Sequence, residues 1–246
     1  LIAAPIGQSW RVRIADRVRL YDGPAPGSES WNHVERRYWS DLWDTEVVAN
    51  VVEPTVTPVF PDGEPTGAAV VIAPGGDDPI ADLVAEMMKG GTGVFDDMAA
   101  VAPLAAADGR AAVRLVRERA DEFGVDPNRV GVMGFSAGGN VAVQVAYADD
   151  PAARPSFVAA VYPSTRGFEL GEPPAGSGPM FLALASDDEL GLAGDSIALY
   201  ETWRRARLPV ELHAYATGGH GFGMRTKHLL SDSWIDRFLD WSAVMV

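Results

Sequence analysis

Three positions in this chain carry side chains of the right types, in the right order, for nucleophilic acyl transfer: Ser136, an acid at 187–188, and His220. The stretch Val130-Gly-Val-Met-Gly-Phe-Ser136-Ala-Gly-Gly-Asn140 is an apolar run entering a Gly-x-Ser-x-Gly turn. A strand that reverses sharply into a helix can stand one hydroxyl clear of the sheet edge, and the turn tolerates almost no side chain on either flank. Gly134 and Gly138 meet that demand, which makes Ser136 the candidate nucleophile. The helix expected over Ala137–Ala148 aims its first N–H groups at the space beside Ser136, so the Ala137 N–H is a candidate donor to an oxyanion.

The pentapeptide is weak evidence alone. In a chain of 246 residues with 26 glycines, a chance match arises roughly one time in seven from residue frequencies. The elements that must position the other groups add weight. Ala68–Ala73 is a continuous apolar run of the kind found in strands buried on both faces, and it delivers Pro74-Gly75-Gly76 to its end. Bare N–H groups at Gly75 and Gly76 are candidates for a second oxyanion donor. Met180–Ala185 reads as a buried strand ending at Ser186-Asp187-Asp188-Glu189, and Val210–Ala216 as a strand ending in Thr217-Gly-Gly-His220-Gly-Phe-Gly223. Each candidate therefore stands at the C-terminal end of a strand, where open parallel sheets place their sites. Gaps of about fifty and about thirty residues leave room for one or two βα units between them.

The remaining elements follow from periodicity. Short alternating stretches at Trp10–Leu20 and Glu46–Phe60 read as edge strands, with Pro54, Pro58 and Pro61 keeping them off a central ladder. Pro79–Lys89 reads as a short helix and about Ala105 to Phe123 as a long one stopped by Gly124, with Arg110, Arg114, Arg117 and Arg119 on its solvated surface. Phe157–Tyr162 reads as a buried strand, and Asp195–Ala206 and Ser231–Met245 as helices. Alternating strands and helices imply a mostly parallel sheet with helices on both faces. The expectation is a single domain over 1–246, with 1–65 an N-terminal arm with edge strands and 66–246 the body.

Composition narrows the partners. A net charge of −14, from 20 basic and 34 acidic residues, argues against nucleic acid and anionic membrane surfaces. With no cysteine there is neither a thiol nucleophile nor thiolate-bound zinc. No apolar run approaches the ~20 residues that span a bilayer. The chain opens at Leu1 without a basic n-region, so it reads as a processed product, fragment or trimmed chain of a soluble protein, cytoplasmic or exported after loss of a signal peptide. Its oligomeric state is left open.

Leu20-Tyr-Asp-Gly-Pro-Ala-Pro-Gly27, Val71-Ile-Ala-Pro-Gly-Gly76, Ala107-Asp-Gly-Arg-Ala-Ala-Val-Arg-Leu-Val-Arg117, Asp126–Gly139 and Gly218-Gly-His-Gly-Phe-Gly223 together resemble α/β-hydrolase esterases of the acetylxylan-esterase-like group, close to dienelactone-hydrolase-like and hormone-sensitive-lipase-like proteins. The order Ser, Asp, His is the one such a triad takes. The resemblance implies a serine esterase cleaving short acyl esters, such as acetyl groups on xylan-type sugars, with no metal or organic cofactor and a small-molecule or carbohydrate ester as its partner. Ala-Ser-Asp-Asp-Glu-Leu resembles the family's acid turn with Asp188 in the acid's place, leaving Asp187 as a turn residue. His220 would be the base, and Trp31, Trp39 and Trp43 would either pack the arm or stack on sugar rings. One departure stands out: the family's strand between the Pro-Gly-Gly loop and the Asp-Gly-Arg-Ala helix has only Thr92-Gly-Val-Phe95 as a remnant. Either a central strand and its crossover are lacking after residue 76, which would leave the sheet unpaired in its middle, or residues absent from the sequence interrupt the chain there. The departure also keeps an alternative open, a catalytically impaired hydrolase fold that binds a carbohydrate or a protein partner.

Overall fold

The computed structural model describes residues 11–41, 45–76, 88–89 and 93–246. Its contacts divide the chain into two compact units, Leu1–Thr66 and Gly67–Val246.

The first unit is built from short antiparallel ladders. β1 (Val12–Ile14) pairs with β6 (Val59–Pro61), and β2 (Val18–Arg19) with β5 (Thr55–Val56). Prolines explain why these ladders are so short, since a proline accepts but cannot donate. The carbonyls of Pro58 and Pro54 take the N–H groups of Ala15 and Leu20. β3 (Arg36–Ser40) and β4 (Thr45–Ala49) form a hairpin in register Arg36↔Ala49 to Ser40↔Thr45. The alternation reading missed β3, because its two arginines and serine dilute the apolar pattern.

The second unit contains a five-stranded, wholly parallel sheet. Its strands are β7 (Ala69–Ala73), β8 (Val130–Phe135), β9 (Val158–Val161), β10 (Met180–Ala185) and β11 (Val210–Tyr215), lying side by side in chain order. Period-two alternation sends one set of side chains to each face. Val130, Val132, Val158, Ala160, Met180 and Leu182 enter a core with Leu199 and Trp203, while Met133, Ala159, Val161, Phe181 and Ala183 enter a second with Trp234, Phe238 and Trp241. The first core is closed by α1 (Gly93–Glu118), α3 (Ala137–Ala146) and α4 (Ala193–Arg205), the second by α5 (Trp234–Met245). Helices on both faces of a parallel sheet make this an α/β architecture, as the alternation of strands and helices implies.

Two expectations about the chain between β7 and β8 change. The helix expected from about Ala105 begins at Gly93 and runs through Pro103; a separate turn, α2 (Ala120–Phe123), follows Arg119, and Gly124 ends it at φ +66°. The second expectation, a sheet unpaired in its middle, is overturned. β7 pairs directly with β8 from Ala69↔Val130 to Ala73↔Gly134, so the five strands form an unbroken row. Gly93-Val-Phe95, most of the supposed strand remnant, lies in the first turn of α1. The helix expected over Pro79–Lys89 lies outside the described residues apart from Met88 and Lys89.

Arg117 is also more than a solvated side chain. Its guanidinium donates to the carbonyls of Pro127, Pro151 and Ala152 and to Ser156. These bonds fasten the loops at the N-terminal ends of β8 and β9, and partial burial lowers its pKa.

Candidate active site

The elbow is shaped by what its glycines exclude. Ser136 takes φ +53° and ψ −115° between β8 and α3, a backbone conformation that non-glycine residues rarely adopt and that is held only by surrounding structure. That structure leaves no room for side chains. A Cβ on Gly134 would lie 1.9 Å from the Gly138 carbonyl oxygen, and one on Gly138 would lie 2.1 Å from that of Ala73 and 2.2 Å from that of Pro74. Gly139 would meet Pro163 at 2.8 Å. The strained serine is thereby pinned between the ends of β7, β8 and β9, and its own N–H donates to the Val161 carbonyl.

The loop after β11 brings His220 to that serine. Ser136 Oγ and His220 Nε2 are 2.7 Å apart, and His220 Nδ1 is 2.8 Å from Asp188 Oδ2 in the turn after β10. The side chains of His220 and Asp188 are 2% and 1% exposed. A buried carboxylate beside Nδ1 assigns the ring proton to that nitrogen and leaves Nε2 bare to accept from the serine hydroxyl. The second oxygen of Asp188 accepts the Leu190 N–H at 2.9 Å, which fixes the plane of the carboxylate. Of the two aspartates open from sequence, Asp188 is the one on the imidazole; Asp187 instead accepts the Gly219 N–H at 2.8 Å.

The oxyanion candidates divide. Ala137 opens α3, so its N–H is one of those that helix geometry leaves without an intrahelical acceptor. Gly75 abuts the elbow: a Cβ there would lie 3.3 Å from the Phe135 oxygen and 3.5 Å from the Ser136 Cβ. A Cβ on Gly76 would meet nothing within 4 Å among the described residues. The chemistry available to this arrangement is proton transfer between a serine hydroxyl and an imidazole, next to backbone donors. Among the described residues, no group of three or more His, Asp or Glu could hold a metal ion.

Residues 88–237, more than half the chain, match the Dienelactone hydrolase family. The chain belongs to that family. It is similar to an acetylxylan esterase of Xylanibacter ruminicola, with 27% identity over 158 residues, which cover 52% of this chain and 33% of that protein. The chain thus spans about a third of the length of this curated relative. Two solved structures share the fold. MGS-M1, an alpha/beta hydrolase enzyme from a Medee basin deep-sea metagenome library, has a TM-score of 0.59 at 21% identity, covering 85% of this chain and 96% of its own. A sugar hydrolase from Lactococcus lactis has a TM-score of 0.55 at 22% identity, covering 72% and 89%.

In this dienelactone hydrolase family member, several groups around the histidine escaped sequence reasoning. Tyr162, at the end of β9 with φ +39°, packs edge-on against His220 at 5.1 Å and against Phe222 at 4.6 Å. Burial raises the pKa of its phenol well above the ordinary range; an N–H bond from Gly223 opposes the shift, and the nearby Asp188 charge adds to it. Trp234 donates its indole N–H to the Gly223 carbonyl at 2.7 Å. Asn140, inside the quoted elbow stretch, donates to the carbonyls of Ser164 and Arg166 and so ties the loop after β9 to α3. No spacing signals these contacts, because each joins separate strand ends. Trp31 and Trp39 are exposed members of the first unit, and Trp43 lies outside the described residues.

Proposed function

We propose that this chain is a serine carboxylesterase that hydrolyses short-chain acyl esters, with acetyl groups on xylan-type carbohydrates as the substrate class. The observation that carries this reading is the hydrogen-bonded line from Ser136 Oγ through the His220 ring to the buried carboxylate of Asp188. As Ser136 Oγ attacks the ester carbonyl carbon, its proton passes to His220 Nε2. Asp188 stabilises the imidazolium that forms. The tetrahedral oxyanion is taken by the Ala137 N–H and by the Gly75–Gly76 main chain, a type of contact in which one donor contributes about 3 kcal/mol to the transition state. Collapse breaks the bond to the alcohol oxygen, which leaves with the proton from Nε2 and an acyl group on Ser136. Water then gives one proton to His220 Nε2 as it adds to the acyl carbon; collapse breaks the bond to Ser136 Oγ, which takes that proton back, and the carboxylic acid leaves.

Kinship with the acetylxylan esterase supports ester over amide and acetyl over longer acyl groups. Net charge of −14 suits a neutral carbohydrate ester better than a polyanion. The test is acetate release from acetylated xylo-oligosaccharides, run beside p-nitrophenyl acetate, butyrate and octanoate. The expected outcome is acetate release and a kcat/KM that falls from acetyl to octanoyl. Turnover of octanoate alone, or of none of these, would contradict the reading.

A further inference from the structure

Three consecutive acids, Asp187, Asp188 and Glu189, all bind the histidine loop. Asp188 takes the ring Nδ1–H, Asp187 takes the Gly219 N–H at 2.8 Å, and Glu189 Oε2 takes the His220 N–H at 2.7 Å. Adjacent carboxylates repel one another, so their convergence on one loop calls for compensating positive ends. Two successive N–H groups around a left-handed glycine provide them, since such backbone forms a concavity for anions. Gly219 has φ +66°. A Cβ on it would come within 2.9 Å of Glu189 Oε1, so the glutamate lies close over the loop as well as bonded to it.

We propose that Glu189, assisted by Asp187, is a positioning residue for His220. The inference rests on the esterase reading for its kinetic consequence. Its physical content is narrower: a carboxylate on the His220 N–H fixes the peptide plane from which the imidazole projects. The far end of the loop is already held at Gly223, by the Tyr162 phenol and the Trp234 indole. Glu189 and Asp187 hold the near end. Productive proton transfer needs the imidazole placed within about 0.5 Å and 10–20°, and a loop tethered at both ends meets that where a loop tethered at one end swings. Asp187 and Glu189 are exposed, so their replacement removes a tether without opening the core.

The experiment compares the full chain with Glu189→Ala, Glu189→Gln and Asp187→Ala. Its readouts are kcat and KM on p-nitrophenyl acetate, amide hydrogen exchange at Gly219 and His220, and Tm. Glu189→Ala is expected to lower kcat about tenfold with KM and Tm unchanged and with faster exchange at the His220 amide. Glu189→Gln, whose amide oxygen still accepts the N–H, should restore kcat to within about threefold of the parent. Asp187→Ala should speed exchange at Gly219. Parent kcat in Glu189→Ala, or a loss of kcat without faster exchange at His220, would overturn the proposal. So would a Gln variant as impaired as the Ala variant, which would assign the effect to charge. If the parent chain hydrolyses no ester, the esterase reading fails by itself, and exchange at Gly219 and His220 then decides the positioning claim alone.

Discussion

Replacing Gly138 with alanine tests whether close packing of three strand ends is what holds the nucleophile. The added Cβ would lie 2.1 Å from the Ala73 oxygen and 2.2 Å from the Pro74 oxygen. Ordinary contact needs about 3.5 Å, so the first turn of α3 must withdraw from the end of β7 by more than about 1 Å. Neither atom belongs to a flexible side chain that could swing away; both are backbone, next to Gly75 on one side and to Ala137 and Ser136 on the other. Overpacking of this kind costs about 1–3 kcal/mol, which for a chain of this length lowers Tm by roughly 2–12 °C. Misplacing a catalytic group by about 1 Å costs on the order of 100-fold in rate. The assay is kcat/KM on p-nitrophenyl acetate with Tm by calorimetry, beside Gly194→Ala in the first turn of α4, where a Cβ meets nothing within 4 Å among the described residues. Gly194→Ala should leave both quantities near the parent's, while Gly138→Ala loses about 100-fold in kcat/KM. Parent-like activity and Tm in Gly138→Ala would refute the reasoning, because the strand end would then be able to yield without cost.

Asp188→Asn keeps the size of the side chain but presents an amide to the histidine, disturbing the ring's tautomer and leaving the imidazolium unstabilised; kcat on p-nitrophenyl acetate should fall by about 10³–10⁴-fold, whereas Asp187→Asn should retain most of it. Trp203→Ala removes a fully buried indole and its bond to the Gly178 carbonyl, and denaturant unfolding should show a loss of about 3–5 kcal/mol. Burial pushes the Tyr147 phenol up to about 12. The folded state therefore favours the neutral form, and this contribution to stability is complete below the unfolded value near 10 and is lost as pH rises toward about 12. Ultraviolet titration of tyrosinate should lose one late-titrating group in Tyr147→Phe, and that variant's Tm should decline less steeply over the same alkaline range.

What could be read directly from the chain was whatever is local. Met180–Ala185 matches β10 residue for residue, since a strand buried on both faces is a plain apolar run ended by a polar turn. The elbow was equally legible, because a tight strand-to-helix turn imposes glycines at fixed offsets from Ser136. Non-local facts were not. In the sequence, Asp188 is preferred over Asp187 only through resemblance to the family's acid turn, because the contact itself depends on how the turn after β10 faces a loop about thirty residues away. Arg117 sits at a helical surface position, yet its guanidinium reaches carbonyls in two other loops. The unpaired sheet was a misreading of topology: counting units along the chain does not say which strands are neighbours, and β7 pairs with β8 without an intervening strand. Glu189 had a local signal, three acids at a strand end opposite a Gly-Gly-His loop, but only the fold shows that all three converge on that loop.

The central claim is that Ser136, activated by His220, takes an acyl group from an ester. Hydrolysis of p-nitrophenyl acetate by the 246-residue chain, measured beside Ser136→Ala with both shown to be folded and monodisperse, tests it most directly. Activity in the parent that disappears in the variant is the expected result. A folded parent without activity, or a Ser136→Ala variant that hydrolyses the ester as fast as the parent, would contradict it.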